Sequence, residues 1–260
     1  MLTASGGARP KLTVEHDGAL WLAKFPSARD PRSEPSVPAL ECAVLDLAQH
    51  AGLTVPRHEL VRVRDRDVLL IERFDRSPIV RSDGSPVEAA WARHRYASAR
   101  TLLWSEPEGA RYSATGSYPV LATQLARWSA DAEADRLELF RRVAFNCLVS
   151  NTDDHDLNLG MVDAGGGFRL APAFDLVPQP VTTGRQYLAM VIGADGAAAT
   201  RANLLSSAPR FGLTADDAAD RLDAMVAAVG HGWRACLSGR GISDVHLERL
   251  APRFVPGHFL

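Results

Sequence analysis

The stretch Asn151 to Gly160, NTDDHDLNLG, places three carboxylates, an imidazole and two carboxamides within eight residues, just after the apolar run VAFNCLV. Groups of these types bind a divalent cation, take a proton from a substrate, or cap a helix end. Elsewhere in the chain, polar residues stand where polarity is costly. Lys24 lies in ALWLAKF, where both strand faces are apolar, so its ammonium needs a partner. Glu41 borders the apolar stripe of a helix and can serve as that partner. Asp175 follows in LAPAFDL, and Asn158 stands five positions after Asp153. A lysine for phosphates, a glutamate to orient it, an aspartate to accept a hydroxyl proton, and an asparagine with a second aspartate for Mg2+ are the groups that phosphoryl transfer uses. That chemistry is mostly positioning and charge compensation.

The elements that must hold these groups can be read from pattern. KLTV and ALWLAKF predict two antiparallel strands around a turn at His16-Asp17-Gly18. VPALECAVLDLAQHAG predicts a helix with Pro38 in its first turn, a stripe of Leu40, Val44, Leu47 and Ala51, and Gly52 as its stop. ELVRVRDRDVLLIERFDR predicts a hairpin turning near Asp65-Arg66-Asp67, with a solvated, arginine-rich tip, and ending at Glu72-Arg73-Phe74. From about residue 76 the pattern turns mainly helical. RYASARTLLW, SYPVLATQLARWSA and DRLELFRRVAFNCLVSN predict helices, the last with a capping-box-like start at Asp135 and Glu138. A short hairpin turned by Gly165, Gly166 and Gly167 leads to Asp175, and two amphipathic helices close the chain. The expected fold is α+β with two lobes: a small β-rich lobe over residues 1–75 and a larger helical lobe over 76–260.

At 260 residues, 46% hydrophobic and with net charge −2, the chain can bury a sizeable core, and it lacks the bulk positive charge of a typical nucleic-acid-binding domain. Cys42, Cys147 and Cys236 form no CxxC pair and sit in apolar contexts, which predicts buried reduced thiols and a cytoplasmic location. No apolar run is long enough to span a bilayer, and MLTASGGARPK lacks the hydrophobic core of a secretion signal, so a soluble intracellular protein is expected.

Together GGARPK, LWLAKFPS, PALECAVLDLA, ERFDR, RYASARTLL, ELFRRVAFNCLVSNTDDH and FRLAPAFDLVP resemble the HipA-type serine/threonine kinases of bacterial toxin–antitoxin systems, over nearly the whole chain. The pair FN-x-L-x-x-NTDDH and L-A-P-A-F-D-L-x-P carries the specificity, and GGARPK alone is weak. The resemblance implies ATP and Mg2+ as cofactors. Gly6 and Gly7 match the nucleotide-covering loop, Lys24 the phosphate-contacting lysine, and Glu41 its helix glutamate. Glu72 and Phe74 match the inter-lobe segment at the adenine, Asp153 the catalytic aspartate, and Asn158 and Asp175 the metal ligands. His155 matches a loop histidine with a structural role. As partners the resemblance implies a protein substrate such as an aminoacyl-tRNA synthetase and a small helix-turn-helix antitoxin. DNA would be reached only through that antitoxin.

Departures from the family pattern set the alternatives. Leu157 stands where members carry a Lys or Arg before the asparagine. Ala4 stands at the serine that some members autophosphorylate, with Ser5 one register off. The chain begins inside the glycine loop, which implies either a natural short form or a shortened reading frame, and an incomplete nucleotide lid. The late start and Leu157 favour a second reading, a weak or inactive kinase-like module acting with the antitoxin as corepressor. A small-molecule phosphotransferase is a third reading. A metallohydrolase built on DDHD would need further histidines at metal-site spacing, and the others are scattered.

Overall fold

The structure is a computed structural model that describes residues 9–28, 30, 35–104, 116–181, 184 and 186–260. Strands β1 (Lys11–His16) and β2 (Ala19–Lys24) pair antiparallel across Asp17 and Gly18, both with positive φ, as a two-residue hairpin turn requires. Strands β3 (His58–Val63) and β4 (Arg66–Glu72) form the second hairpin, turned at Arg64-Asp65, and the sheet runs β1-β2-β4-β3. β2 and β4 are therefore interior strands, which is why both faces of each are apolar. Trp21, Ala23, Val68 and Leu70 make a small cluster on one face, while Leu69 and Ile71 join the main core on the other.

Helix α1 (Val37–His50) packs on that second face. Every residue from Pro38 to Leu45 is buried, so it is sheathed on all sides rather than amphipathic, and the chain leaves it through Gly52 at φ 83°. This placement carries Glu41 under the sheet.

The larger lobe is less purely helical than its sequence pattern predicts. Strands β5 (Arg76–Val80) and β6 (Pro86–Arg93) form a hairpin that the pattern did not reveal. The predicted helix RYASARTLLW is a strand, β7 (Arg95–Ser98), followed by a short helix, α2 (Ala99–Trp104). The strand wins because Arg95–Ser98 pairs with β8 (Gly160–Asp163), and that partner is far away in sequence. β9 (Arg169–Leu170) completes a three-stranded sheet around the predicted glycine turn.

Helices α3 (Tyr118–Trp128) and α4 (Ala132–Leu148) form the middle of the large core. The expected capping box at Asp135 is not formed. Asp131 is the N-cap, accepting from the Ala134 backbone N–H, whereas Asp135 accepts from Ser129, Arg169 and the Leu170 backbone N–H. Asp135 thus anchors β9. α5 (Arg201–Ser206), the long α6 (Ala215–Gly239) and α7 (Asp244–Leu250) close the lobe. Of the thiols, Cys42 and Cys147 are buried as expected, but Cys236 is only half-buried. No helix among the described residues is long and apolar enough to cross a membrane.

Candidate functional site

Two cavities meet between the lobes. The first, about 310 Å³, is mostly apolar, with Leu22 and Ile71 from the sheet and Phe74, Tyr96 and Phe174 around it. Phe74 lies 5.9 Å from the Phe174 ring and 6.2 Å from Tyr96. Burial pushes the Tyr96 phenol up to about 12, so the ring is a neutral wall. The second cavity, about 640 Å³, is polar and holds Lys24, Glu41, Asp153, His155, Asn158 and Asp175. Lys11, Lys24 and Leu157 line both.

β2 delivers Lys24 as its last residue. Its Nζ donates to Glu41 Oε1 at 2.6 Å and to Asp175 Oδ1 at 2.8 Å, so one ammonium joins α1, β2 and the segment after β9. Burial alone would discharge Lys24, but the two carboxylates outweigh it and raise its pKa. Glu41 is pushed up by its own burial against the pull of Lys24. For Asp175, burial pushes upward, but the Lys24 charge and hydrogen bond prevail and hold the carboxyl below its usual range. The Asp175 side chain is 46% exposed, so it also faces the open cavity.

Asp175 is held in a left-handed backbone conformation, φ 61°, which is uncommon for a residue with a side chain. The surrounding segment fixes it. Arg142 on α4 donates to the Ala171 carbonyl and pairs with Glu138, and Glu138 accepts from the Thr54 N–H. The Ala173 N–H donates to the Thr54 carbonyl, and the Gln179 N–H to that of Ser150. Strain localised on a cleft carboxylate and over-determined by its neighbours is a mark of functional sites.

The loop after α4 splits its three carboxylates among three environments. Asp154 is buried. Its Oδ2 accepts from Tyr118 Oη and Asn146 Nδ2, both at 2.7 Å, and burial raises its pKa to about 6. Asp156 accepts a forked pair of bonds from Arg100. Asp153 is exposed at the polar cavity, and only its backbone carbonyl is engaged, by the His155 N–H and by Asn158 Nδ2 at 3.3 Å. Because Nδ2 points back into the loop, the Asn158 amide presents its oxygen. An amide oxygen and a carboxylate on one polar cavity form a hard-oxygen donor set of the kind that Mg2+ takes. The residues present therefore fit that ion.

Of the residues singled out from sequence, the structure brings Lys24, Glu41 and Asp175 into direct contact and sets Asp153 and Asn158 on the same cavity. Glu72 and Phe74 line the apolar cavity. Gly6 and Gly7, with Ala4 and Ser5, lie outside the described residues. Sequence reasoning overlooked Lys11, Tyr96 and Phe174. Tyr96 was hidden by the misread helix. Lys11 could have been found from the hairpin register, which pairs it with Lys24.

A family model, the HipA-like C-terminal domain, matches residues 3–233. The chain belongs to that family. A putative kinase, Y4dM, of Sinorhizobium fredii is 25% identical over 182 residues, which span 64% of this chain and 39% of the relative. Among solved structures, the fold is similar to HipA of Shewanella oneidensis MR-1, described in complex with HipB and its operator DNA. The TM-score there is 0.70 at 18% identity, over 97% of this chain and 62% of that one. It is also similar to the proinflammatory kinase CtkA of Helicobacter pylori, with TM-score 0.57 at 13% identity, over 96% and 94% of the two chains. This HipA-like chain thus has the two-lobed kinase-like fold, a small sheet lobe and a helical lobe, and spans about two fifths of the curated relative and three fifths of the Shewanella protein.

Proposed function

We propose that this HipA-like chain is an ATP- and Mg2+-dependent kinase that transfers the γ-phosphate to a Ser or Thr hydroxyl of another protein, in the cytoplasm. The observation that carries the reading is the Lys24 ammonium bracketed by Glu41 and Asp175 on the cavity shared with Asp153 and Asn158.

In this reading the apolar cavity takes the adenine between aromatic walls, with the Glu72–Phe74 segment along its edge. Lys24, kept charged by its carboxylates, faces the phosphates, and Gly6 and Gly7 cover them. Asp153 orients the acceptor hydroxyl and takes its proton. Mg2+, held by Asn158 and Asp175, would offset phosphate charge. Asp175 Oδ1 accepts from Lys24, and the half-exposed carboxylate would still be open to the ion. The lobes divide near residue 75.

The Shewanella structure, HipA with HipB and its operator DNA, supports an antitoxin as partner, with DNA reached only through it. That the antitoxin is a small helix-turn-helix protein, and that the substrate is a protein such as an aminoacyl-tRNA synthetase, rest on the sequence resemblance. The test is transfer of labelled phosphate from ATP into a cell lysate by the purified protein, with Asp153→Asn alongside. Labelling by wild type and not by the variant is expected. Equal labelling by both would remove Asp153 from its role.

One observation favours a second reading, a weak or inactive module that acts as corepressor with the antitoxin. Leu157, 46% exposed, lines both cavities where a cation would face the transferring phosphate. Tight ATP binding with no Mg2+-dependent transfer would select it.

A further inference from the structure

Next to Glu41 on α1, a second cluster uses side chains that the phosphotransfer reading leaves idle. Cys42 and Asp46 are four residues apart and so share a helix face, and His58 opens β3 beside them. The cysteine sulfur, a carboxylate oxygen and a ring nitrogen all lie within 4.8 Å of one another. It is the one such group of three or more among the described residues.

The imidazole is 5% exposed and fixed at both ends. Nδ1 lies 2.9 Å from the Pro56 carbonyl oxygen, and Nε2 lies 3.1 Å from Asp46 Oδ1. A ring that donates from Nδ1 to a backbone carbonyl carries its lone pair on Nε2, as metal-ligating histidines do. In that neutral form the lone pair points at a carboxylate oxygen, a repulsive arrangement. Either a second proton or a metal ion between the two atoms relieves it. Two atoms bound to one tetrahedral ion at about 2.0–2.1 Å stand roughly 3.3 Å apart, close to the separation seen here. Arg240, at the end of α6, orients the same carboxylate from its other side, with Nε 2.6 Å from Oδ2 and Nη2 2.8 Å from Oδ1. Ligating carboxylates are commonly held in this way.

We propose that Cys42, Asp46 and His58 form a binding site for a divalent transition ion of the zinc class, with a fourth position left open. The sulfur, imidazole and carboxylate donor set suits such an ion and not Mg2+. Binding replaces the Cys42 S–H bond by a bond from sulfur to the ion, with the proton released to solvent, and involves no electron transfer. The buried thiol, pushed up to about 12 by desolvation, is unreactive until a cation takes its proton's place. The bound ion would pin α1 to β3 one residue from Glu41.

The test uses the full chain, stripped by a chelator and titrated with Co2+ in excess Mg2+, so that oxygen-donor sites are held by Mg2+. Expected are one equivalent bound, a thiolate-to-cobalt charge-transfer band, displacement by Zn2+, and a Zn2+-dependent rise in melting temperature. Cys42→Ser should abolish the band, and His58→Gln should weaken binding at least about tenfold. Asp175→Asn should change neither. Circular dichroism checks that each variant folds, and if Cys42→Ser does not, His58→Gln carries the test. A wild-type protein without a thiolate band, or a band that survives in folded Cys42→Ser, would overturn the site. The cluster would then be an ion-pair network joining α1, β3 and α6.

Discussion

Asp153 and Asp154 are neighbours in the chain and opposites in their surroundings. Asp153 is exposed on the polar cavity, with its loop anchored through its backbone carbonyl. Asp154 is buried against Tyr118 and Asn146, and Asn151 extends the same network by donating to Asn146 Oδ1 at 3.0 Å. The contrast separates two uses of one residue type. A buried carboxylate must be saturated with donors, because an unpaired one costs several kcal/mol. A carboxylate meant to accept a substrate proton has to remain available. The loop therefore spends Asp154 and Asp156 on holding its shape and leaves Asp153 to the cleft.

The sharpest way to break this comparison is to exchange the two sites. On the role proposed for it, Asp153→Asn removes a proton acceptor and little else, so phosphotransfer should fall by about 10²–10⁴-fold, roughly 3–5 kcal/mol in the transition state, while the urea midpoint stays put. Asp154→Ala should do the reverse in order of cause. It leaves the buried Asn146 amide without its acceptor and the Tyr118 hydroxyl with only the Asp154 backbone carbonyl, and should cost about 3 kcal/mol of stability by urea denaturation, with activity lost only as the loop loosens. If Asp153→Asn unfolds the protein and Asp154→Ala does not, the assignment of roles is inverted.

A pH series probes the buried member alone. The folded-state pKa of Asp154, about 6, is raised above the ordinary 3.8. The folded state thus holds a proton that the unfolded chain has already released between those values. The contribution is fully present below about 4 and is lost as pH rises towards 6. Unfolding free energy attributable to this group should therefore decline over that window by roughly 2–3 kcal/mol, two pKa units at about 1.4 each. Asp154→Asn, which has no proton to lose, should flatten the slope. A wild-type and variant pair with parallel pH profiles would mean that Asp154 is better solvated than its surroundings imply.

The same contrast explains what could be read from sequence. Lys24 and Glu41 were legible because a charge inside an apolar strand and a charge bordering an apolar helix stripe both need explaining, and each explains the other. The hairpins of the small lobe were legible from alternation and from turns such as Asp17-Gly18. What was missed depends on partners distant in the chain. Arg95–Ser98 has a helical pattern locally and becomes a strand only because β8 lies beside it, and this concealed Tyr96 as a wall of the apolar cavity. Asp135 has the sequence position of a local cap, yet it accepts chiefly from β9, from Arg169 and the Leu170 N–H, 34 and 35 positions away. Nor could the motif NTDDHDLN show which aspartate would be buried. That is decided by Tyr118 and Asn146 arriving from two helices.

The smallest expected effect concerns the available face of the loop. Leu157 is exposed and borders both cavities, one position before Asn158. Leu157→Lys would add a cation on a flexible stem at the edge of the proposed phosphate region without touching the Asp154 network. An exposed charge pair contributes about 0.2–1 kcal/mol. KM for ATP should therefore fall by up to about fivefold at low ionic strength, and the gain should shrink in high salt as screening shortens its reach. If Lys24 and the Mg2+ ligands already position the phosphates, kcat should stay within about twofold, since a charge felt equally by bound substrate and transition state changes binding and not the chemical step. A rise in kcat of tenfold or more would show the opposite: that the loop lacks a cation felt chiefly in the transition state, and that the natural chain is held in the weak-kinase regime by one apolar side chain.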